Sequence, residues 1–227
     1  MINVDTVYQK VLALANKEQR GYITPQEFNL LAVNAQMQIF EQYFYDENQA
    51  DRNVKNSLEY SNVDEMLEEK ISPFRTTAAI TMVSGVGTLP ANLYRLGTVF
   101  RPSSDIEVEQ ITPEEMRYIR KSPLTKPTHK YPAYYRRNNT TIQVYPNLIS
   151  VDCNFIKNPR RPVWGYVVVN EKALYNAGNS TNFELHTSDE AELVYKILSL
   201  AGITIAKPGL STIGEQQIAN QQTQEKQ

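Results

Sequence analysis

The chain has 227 residues, 41% hydrophobic and 10% aromatic, enough apolar side chain to bury a core in one domain or two small ones. A formal net charge of −2 gives the molecule as a whole no drive toward DNA, RNA or an anionic membrane, so a nucleic-acid role would be local or merely topological. The start lacks a basic region followed by an apolar run, and no segment approaches the ~18 uninterrupted apolar residues of a spanning helix, so an intracellular origin is the default. Cys153 is the only cysteine, which excludes an internal disulfide and makes structural zinc unexpected.

Val4, Val7, Tyr8, Val11, Leu12 and Ala15 recur at helical spacing and predict a first helix over 5–17, with Asn3 or Asp5 as its cap. Thr24-Pro25-Gln26-Glu27 is a capping box with Pro where a missing N–H costs nothing, and it opens a second helix carrying Phe28, Leu31, Ala32, Ala35, Ile39, Phe40 and Tyr43 on one side as far as Phe44. These two helices are expected to pair antiparallel. Residues 46–60 are polar and weakly patterned, and a shorter helix is expected over 63–70.

At Pro73 the period changes. Strands are expected over 76–83, 93–100 and 106–111, with Ser84-Gly85-Val86-Gly87 as a turn, and Thr112-Pro113-Glu114-Glu115 caps a short helix. Residues 133–136 and 141–146 form the clearest hairpin, where Asn138-Asn139 would supply the positive φ of a tight turn. Further strands are expected over 150–156 and 164–169. Helical spacing returns at Ala191, Val194, Tyr195, Leu198 and Ala201, capped by Ser188 or Asp189 and ended by Gly202. The expected fold class is α+β. An antiparallel helical bundle, residues 1–72 completed by a returning helix at 185–206, carries an inserted antiparallel β lobe at 73–184. Residues 207–227 form a polar C-terminal arm. Six of its last thirteen residues are Gln, and past Pro208-Gly209 its sizeable apolar side chains are Leu210, Ile213 and Ile218. Such a segment buries too little to order itself, so it is either a solvated end or meant for another chain.

Little in the sequence carries chemistry. Residues 16–27 have the outline of a calcium loop, with Gly21, Ile23 and Glu27 in place, but Arg20 stands where an oxygen ligand belongs and capping accounts for Thr24 and Glu27. Ser84-Gly85-Val86-Gly87-Thr88 lacks the lysine of a phosphate loop, and Pro90 blocks a following helix. His129 and His186 have no metal-ligand spacing, and Cys153 reads as a small buried thiol in an apolar strand. The acidic run Asp64, Glu65, Glu68 and Glu69 reads as a solvated helix face. No catalytic, cofactor-binding or metal site is expected. The basic pairs Arg136-Arg137 and Arg160-Arg161 flank strands and suit phosphate contact or a protein interface equally. Tyr131, Tyr134, Tyr135, Tyr145, Trp164 and Tyr166 crowd the β region, as core or as interface.

The segments Tyr22-Ile23-Thr24-Pro25-Gln26-Glu27-Phe28-Asn29, Leu89-Pro90-Ala91-Asn92-Leu93-Tyr94-Arg95-Leu96, Pro132-Ala133-Tyr134-Tyr135 with Ile142-Gln143-Val144-Tyr145-Pro146, and Asn154-Phe155-Ile156-Lys157-Asn158-Pro159-Arg160-Arg161-Pro162 resemble head-to-tail adaptor proteins of tailed bacteriophages. The likeness is to ring proteins of short-tailed, crAss-like phages, relatives of the tail tubular protein A adaptors, over nearly the whole chain. It implies a structural virion protein of the neck or tail, assembled in the host cytoplasm. Helical bundles carrying a β lobe would form a twelve-fold ring below the portal, around the channel through which DNA passes without specific binding. It implies no enzyme and no cofactor. In that setting Leu210, Ile213 and Ile218 would dock on a neighbouring subunit or the portal, and Arg136, Arg137, Arg160 and Arg161 would face the channel or an interface. The alternative from a different class is a carbohydrate- or receptor-binding β module of a phage tail, built on the aromatic sheet.

Overall fold

The computed structural model describes residues 1–17, 22–52, 58–102, 104, 106–204, 216 and 219. The protein is mixed α+β, with five α-helices and nine strands among those residues. The helices are α1 (Val4–Lys17), α2 (Pro25–Arg52), α3 (Leu58–Ile71), α4 (Pro113–Ile119) and α5 (Glu190–Thr204). The strands are β1 (Arg75–Val83), β2 (Val86–Thr88), β3 (Leu93–Phe100), β4 (Glu109–Gln110), β5 (Ala133–Arg136), β6 (Thr141–Tyr145), β7 (Ser150–Lys157), β8 (Tyr166–Val169) and β9 (Lys172–Tyr175). Two compact units divide the chain: Met1–Ser72 with Pro159–Gln227, and Pro73–Asn158. The second break thus falls at Asn158, and residues 159–184, expected within the β lobe, belong to the first unit.

In the first unit, Asn3 caps α1, its side-chain oxygen accepting from the N–H of Asp5 (2.8 Å) and Thr6 (3.2 Å). The capping box of α2 is present in both directions, Glu27 N–H to Thr24 Oγ1 (3.3 Å) and Thr24 N–H to Glu27 Oε2 (2.9 Å). These bonds hold the Glu27 carboxyl below its ordinary range. The helix continues past Phe44 to Arg52, ~42 Å long at 1.5 Å per residue. Its polar second half is supported from within: Gln42 donates to Asp46 (3.0 Å), Asn48 to the Phe44 carbonyl (2.7 Å) and Gln49 to the Tyr45 hydroxyl (2.9 Å). The last helix packs on both α1 and α2, and α2 packs on α3. Val7, Tyr8 and Val11 of α1, Phe28, Ile39 and Phe40 of α2, and Leu193, Ile197 and Leu198 of α5 are buried. Gly202, expected to end α5, lies buried within it instead.

The second unit is a seven-stranded sheet in the order β3-β7-β1-β2-β6-β5-β4. All its pairings are antiparallel except β4 with β5, so the strand expected over 106–111 is reduced to two residues in a parallel bridge. Alternation sorts the faces: Ile80, Met82, Ile142, Val144, Val151, Cys153 and Phe155 point to one buried core, with Tyr134 and Val108. The β1–β2 turn has positive φ at Ser84 (52°) and Gly85 (79°), the primed geometry that matches strand twist. The β5–β6 turn works differently from expectation. Neither Asn138 nor Asn139 has positive φ. Instead the Asn138 side-chain oxygen accepts from the N–H groups of Thr140 (2.9 Å) and Thr141 (2.7 Å) and from both threonine hydroxyls. No helix among the described residues is long and apolar enough to cross a membrane.

Candidate functional site

Three groupings stand out, two in the first unit and one in the second. In the first unit Trp164 is fixed on every polar edge. Its indole N–H donates to Asp5 Oδ1 (2.9 Å), its backbone N–H to Asn29 Oδ1 (2.7 Å), and its carbonyl accepts from Asn29 Nδ2 (3.2 Å). Tyr8 packs against its ring at 4.4 Å, with Tyr166 and Tyr175 at 5.7 and 5.8 Å. Gly165 follows, where a Cβ would lie 2.6 Å from the backbone of Asn179. From this anchor the chain leaves as the β8–β9 hairpin, whose turn residues Asn170 (48°) and Glu171 (62°) both have positive φ. Val167, Val168, Val169 and Leu174 are exposed on it, Val168 at 62%. Neither strand pairs with another named strand, so the hairpin presents apolar side chains and open edges together. The expected strand over 164–169 is its first half. The second half carries no glycine at its turn, where Asn170, a residue that tolerates positive φ, was the one signal.

The second grouping is a buried ion pair. Lys70 Nζ, at the end of α3, lies 2.9 Å from Asp189 Oδ1, with side chains 10% and 0% exposed. The Tyr43 hydroxyl donates to Asp189 Oδ2 and Ser188 Oγ to Asp189 Oδ1 (3.1 Å), while the ammonium sits 5.9 Å from the Tyr43 ring centre. Asp189, expected as a helix cap, is therefore a core acceptor joining α2, α3 and α5. His186 caps the short 3-10 turn Thr187–Asp189 that leads into α5: its Nδ1 accepts from Ser188 N–H (3.3 Å) and lies 2.9 Å from Ser188 Oγ. With Glu69 4.0 Å from His186 Nε2 these residues outline a nucleophile, base and carboxylate. Yet the Ser188 hydroxyl is directed at Asp189 and the histidine at the backbone, the bonds of a helix start.

In the second unit Tyr135 and Tyr145 stack at 6.4 Å on the face of β5–β6 turned away from the core. The Arg120 guanidinium, just past α4, lies 4.2 Å over the Tyr145 ring and donates to its hydroxyl (3.1 Å). Lys130 stands 5.4 Å from the ring centre of Tyr131, and Arg101 donates to the His129 carbonyl (2.9 Å). Tyr134 and Cys153 face inward, where burial raises the pKa of both.

The residues expected to matter are placed as follows. Arg136 and Arg137 are exposed at the β5–β6 turn, in the second unit. Arg160 and Arg161 are exposed in the first unit, so the two pairs belong to different units. Arg160 is held mainly by its backbone: its N–H donates to Glu184 Oε2 (3.0 Å), its carbonyl accepts from Gln36 (2.7 Å), and its Nε is 3.6 Å from Glu184 Oε1. Leu210, Ile213 and Ile218 lie outside the described residues. Of the six aromatic residues read as core or interface, Tyr134 and Trp164 are buried, which removes them from any carbohydrate-binding surface on the sheet. Among the described residues no group of three or more His, Cys, Asp or Glu could hold a metal ion. No protein-family model matches the chain, and no curated protein matches it.

Proposed function

We propose that the protein is a head-to-tail adaptor of a tailed bacteriophage, a structural subunit of a ring below the portal through which DNA passes. In this reading α1, α2 and α5, with α3 alongside, are the helical bundle, the seven-stranded sheet is the inserted lobe, and 207–227 is an arm laid on a neighbour or on the portal. The observation that carries it is the β8–β9 hairpin. A chain that works alone rarely leaves a valine-rich hairpin with both edges open, whereas a subunit covers such a surface on assembly. The resemblance noted above supports the same reading, as does a net charge of −2 on a conduit that must let DNA pass.

The test is electron microscopy and native mass measurement of the purified protein with and without its portal, on wild type and on Val168→Lys/Leu174→Lys. The wild type should form rings, and the variant should stay folded and monomeric. Monomer alone in both conditions for the wild type overturns the reading.

A further inference from the structure

The net charge conceals a division. Residues 73–158 carry eleven Lys and Arg against six Asp and Glu, a net of +5, while the rest of the chain carries twelve against nineteen, a net of −7. Within the second unit the charge is concentrated again. Between Met116 and Val151 there is no acidic residue, and seven basic ones fall from Arg117 to Arg137, every one exposed.

The fold sets two of these cations against tyrosines, Arg120 on Tyr145 and Lys130 beside Tyr131. Arg120 is seated on Tyr145, which stacks on Tyr135, so the end of α4 lies against the outer face of β5–β6. Lys121 follows at once, its N–H bonded to the Tyr118 carbonyl (3.1 Å). Lys130 and Tyr131 lead through Pro132 into β5, whose other end carries Arg136 and Arg137. Tyr118 and Tyr131 are 75% and 70% exposed. Acids do border this region: Glu109 on β4 pairs with Ala133, Glu107 acts electrostatically on Tyr134, and Glu114 and Glu115 stand in the first turn of α4, where Glu115 is occupied by Thr112.

We propose that this face of the second unit binds nucleic acid through its phosphate backbone, without reading sequence, and that Tyr118 and Tyr131 are platforms on which unpaired bases stack. Lysine and arginine supply a salt-sensitive hold on phosphates, and exposed rings accept any base. An acidic protein surface would use the cations but would leave two exposed tyrosines without a role. The inference is independent of the ring reading, since a monomer can show it and a ring can lack it.

Fluorescence anisotropy on the full chain tests it, with a labelled single strand of about 16 nucleotides and a duplex of the same length. Both should bind at low salt. Five phosphate contacts predict a log–log salt slope of about −3.5 for the single strand, roughly a hundredfold loss between about 50 and 200 mM salt. Arg117→Gln/Lys121→Gln/Lys126→Gln should flatten that slope by about 2, and Tyr118→Ala/Tyr131→Ala should weaken the single strand while sparing the duplex. Arg160→Gln/Arg161→Gln, in the other unit, should change nothing, and circular dichroism should show every variant folded. No binding at low salt overturns the proposal, as does binding indifferent to the triple substitution. So does salt-sensitive self-association without nucleic-acid binding, which would assign the face to the acidic unit of a second copy.

Discussion

Replacing Lys70 by Met asks whether the buried charge cluster holds the first unit together. The substitution keeps the length of the apolar stem but removes the ammonium 2.9 Å from Asp189, leaving a carboxylate at 0% exposure without its counter-charge. Removing one partner of a buried pair costs about 3–5 kcal/mol. Tyr43 and Ser188 still donate to Asp189, which sets the expectation at the lower end, about 3 kcal/mol. For a chain of this length that corresponds to a fall in Tm of about 6–12 °C. Trp164 is the only tryptophan and belongs to the first unit, so its fluorescence during urea unfolding follows the unit concerned. The double variant Lys70→Met/Asp189→Asn removes both charges yet keeps an acceptor for Tyr43, and it should regain most of the loss. A single variant within about 1 kcal/mol of wild type, or a double variant no better than the single, would refute the reasoning.

Gly165→Ala should destabilise the first unit by about 1–3 kcal/mol, because its Cβ would meet Asn179 backbone that cannot swing aside; the same fluorescence midpoint reads it. Cys153 should resist thiol reagents in the native protein and react only on unfolding, since it is buried in the sheet and burial raises its pKa. The Glu27 and Glu115 carboxyls are held below their ordinary value of 4.5 by bonds to Thr24 and Thr112. A depressed folded-state pKa stabilises above the unfolded value and is lost as pH falls through the folded one, so Thr24→Ala/Thr112→Ala should lower the midpoint at neutral pH and by less in acid. Deleting Leu210 to Gln227 should leave the Tm nearly unchanged and abolish assembly with the portal; a large fall in Tm would mean that the arm packs on its own chain.

What the sequence discloses here is local. Thr24-Pro25-Gln26-Glu27 and Thr112-Pro113-Glu114-Glu115 read as capping boxes because all the partners lie within four residues, and both occur as read. Strand β6 follows from its alternation, and Leu93–Phe100 from its run of aromatic and branched residues, although the latter does not alternate and pairs with register shifts. The features missed are those set by distant partners or by cooperation along a helix. Lys70 and Asp189 are far apart in sequence, so Asp189 looked like a cap. The second half of α2 has no apolar stripe, and side-chain bonds four residues apart sustain it. The β8–β9 turn places Glu171 at positive φ, which no glycine advertises. The boundary at Asn158 was hidden because Trp164 sits in a strand-like run, although Asp5 and Asn29 anchor it to the helical unit. The basic face was legible all along, in the acid-free stretch from Met116 to Val151, but a net charge of −2 concealed it.

Electron microscopy of the purified protein mixed with its portal tests the central claim most directly. Closed rings seated on the portal, lost on changing Val168 and Leu174 to lysine while the fold is kept, are the predicted result. Particles that remain monomeric beside unoccupied portals would contradict it.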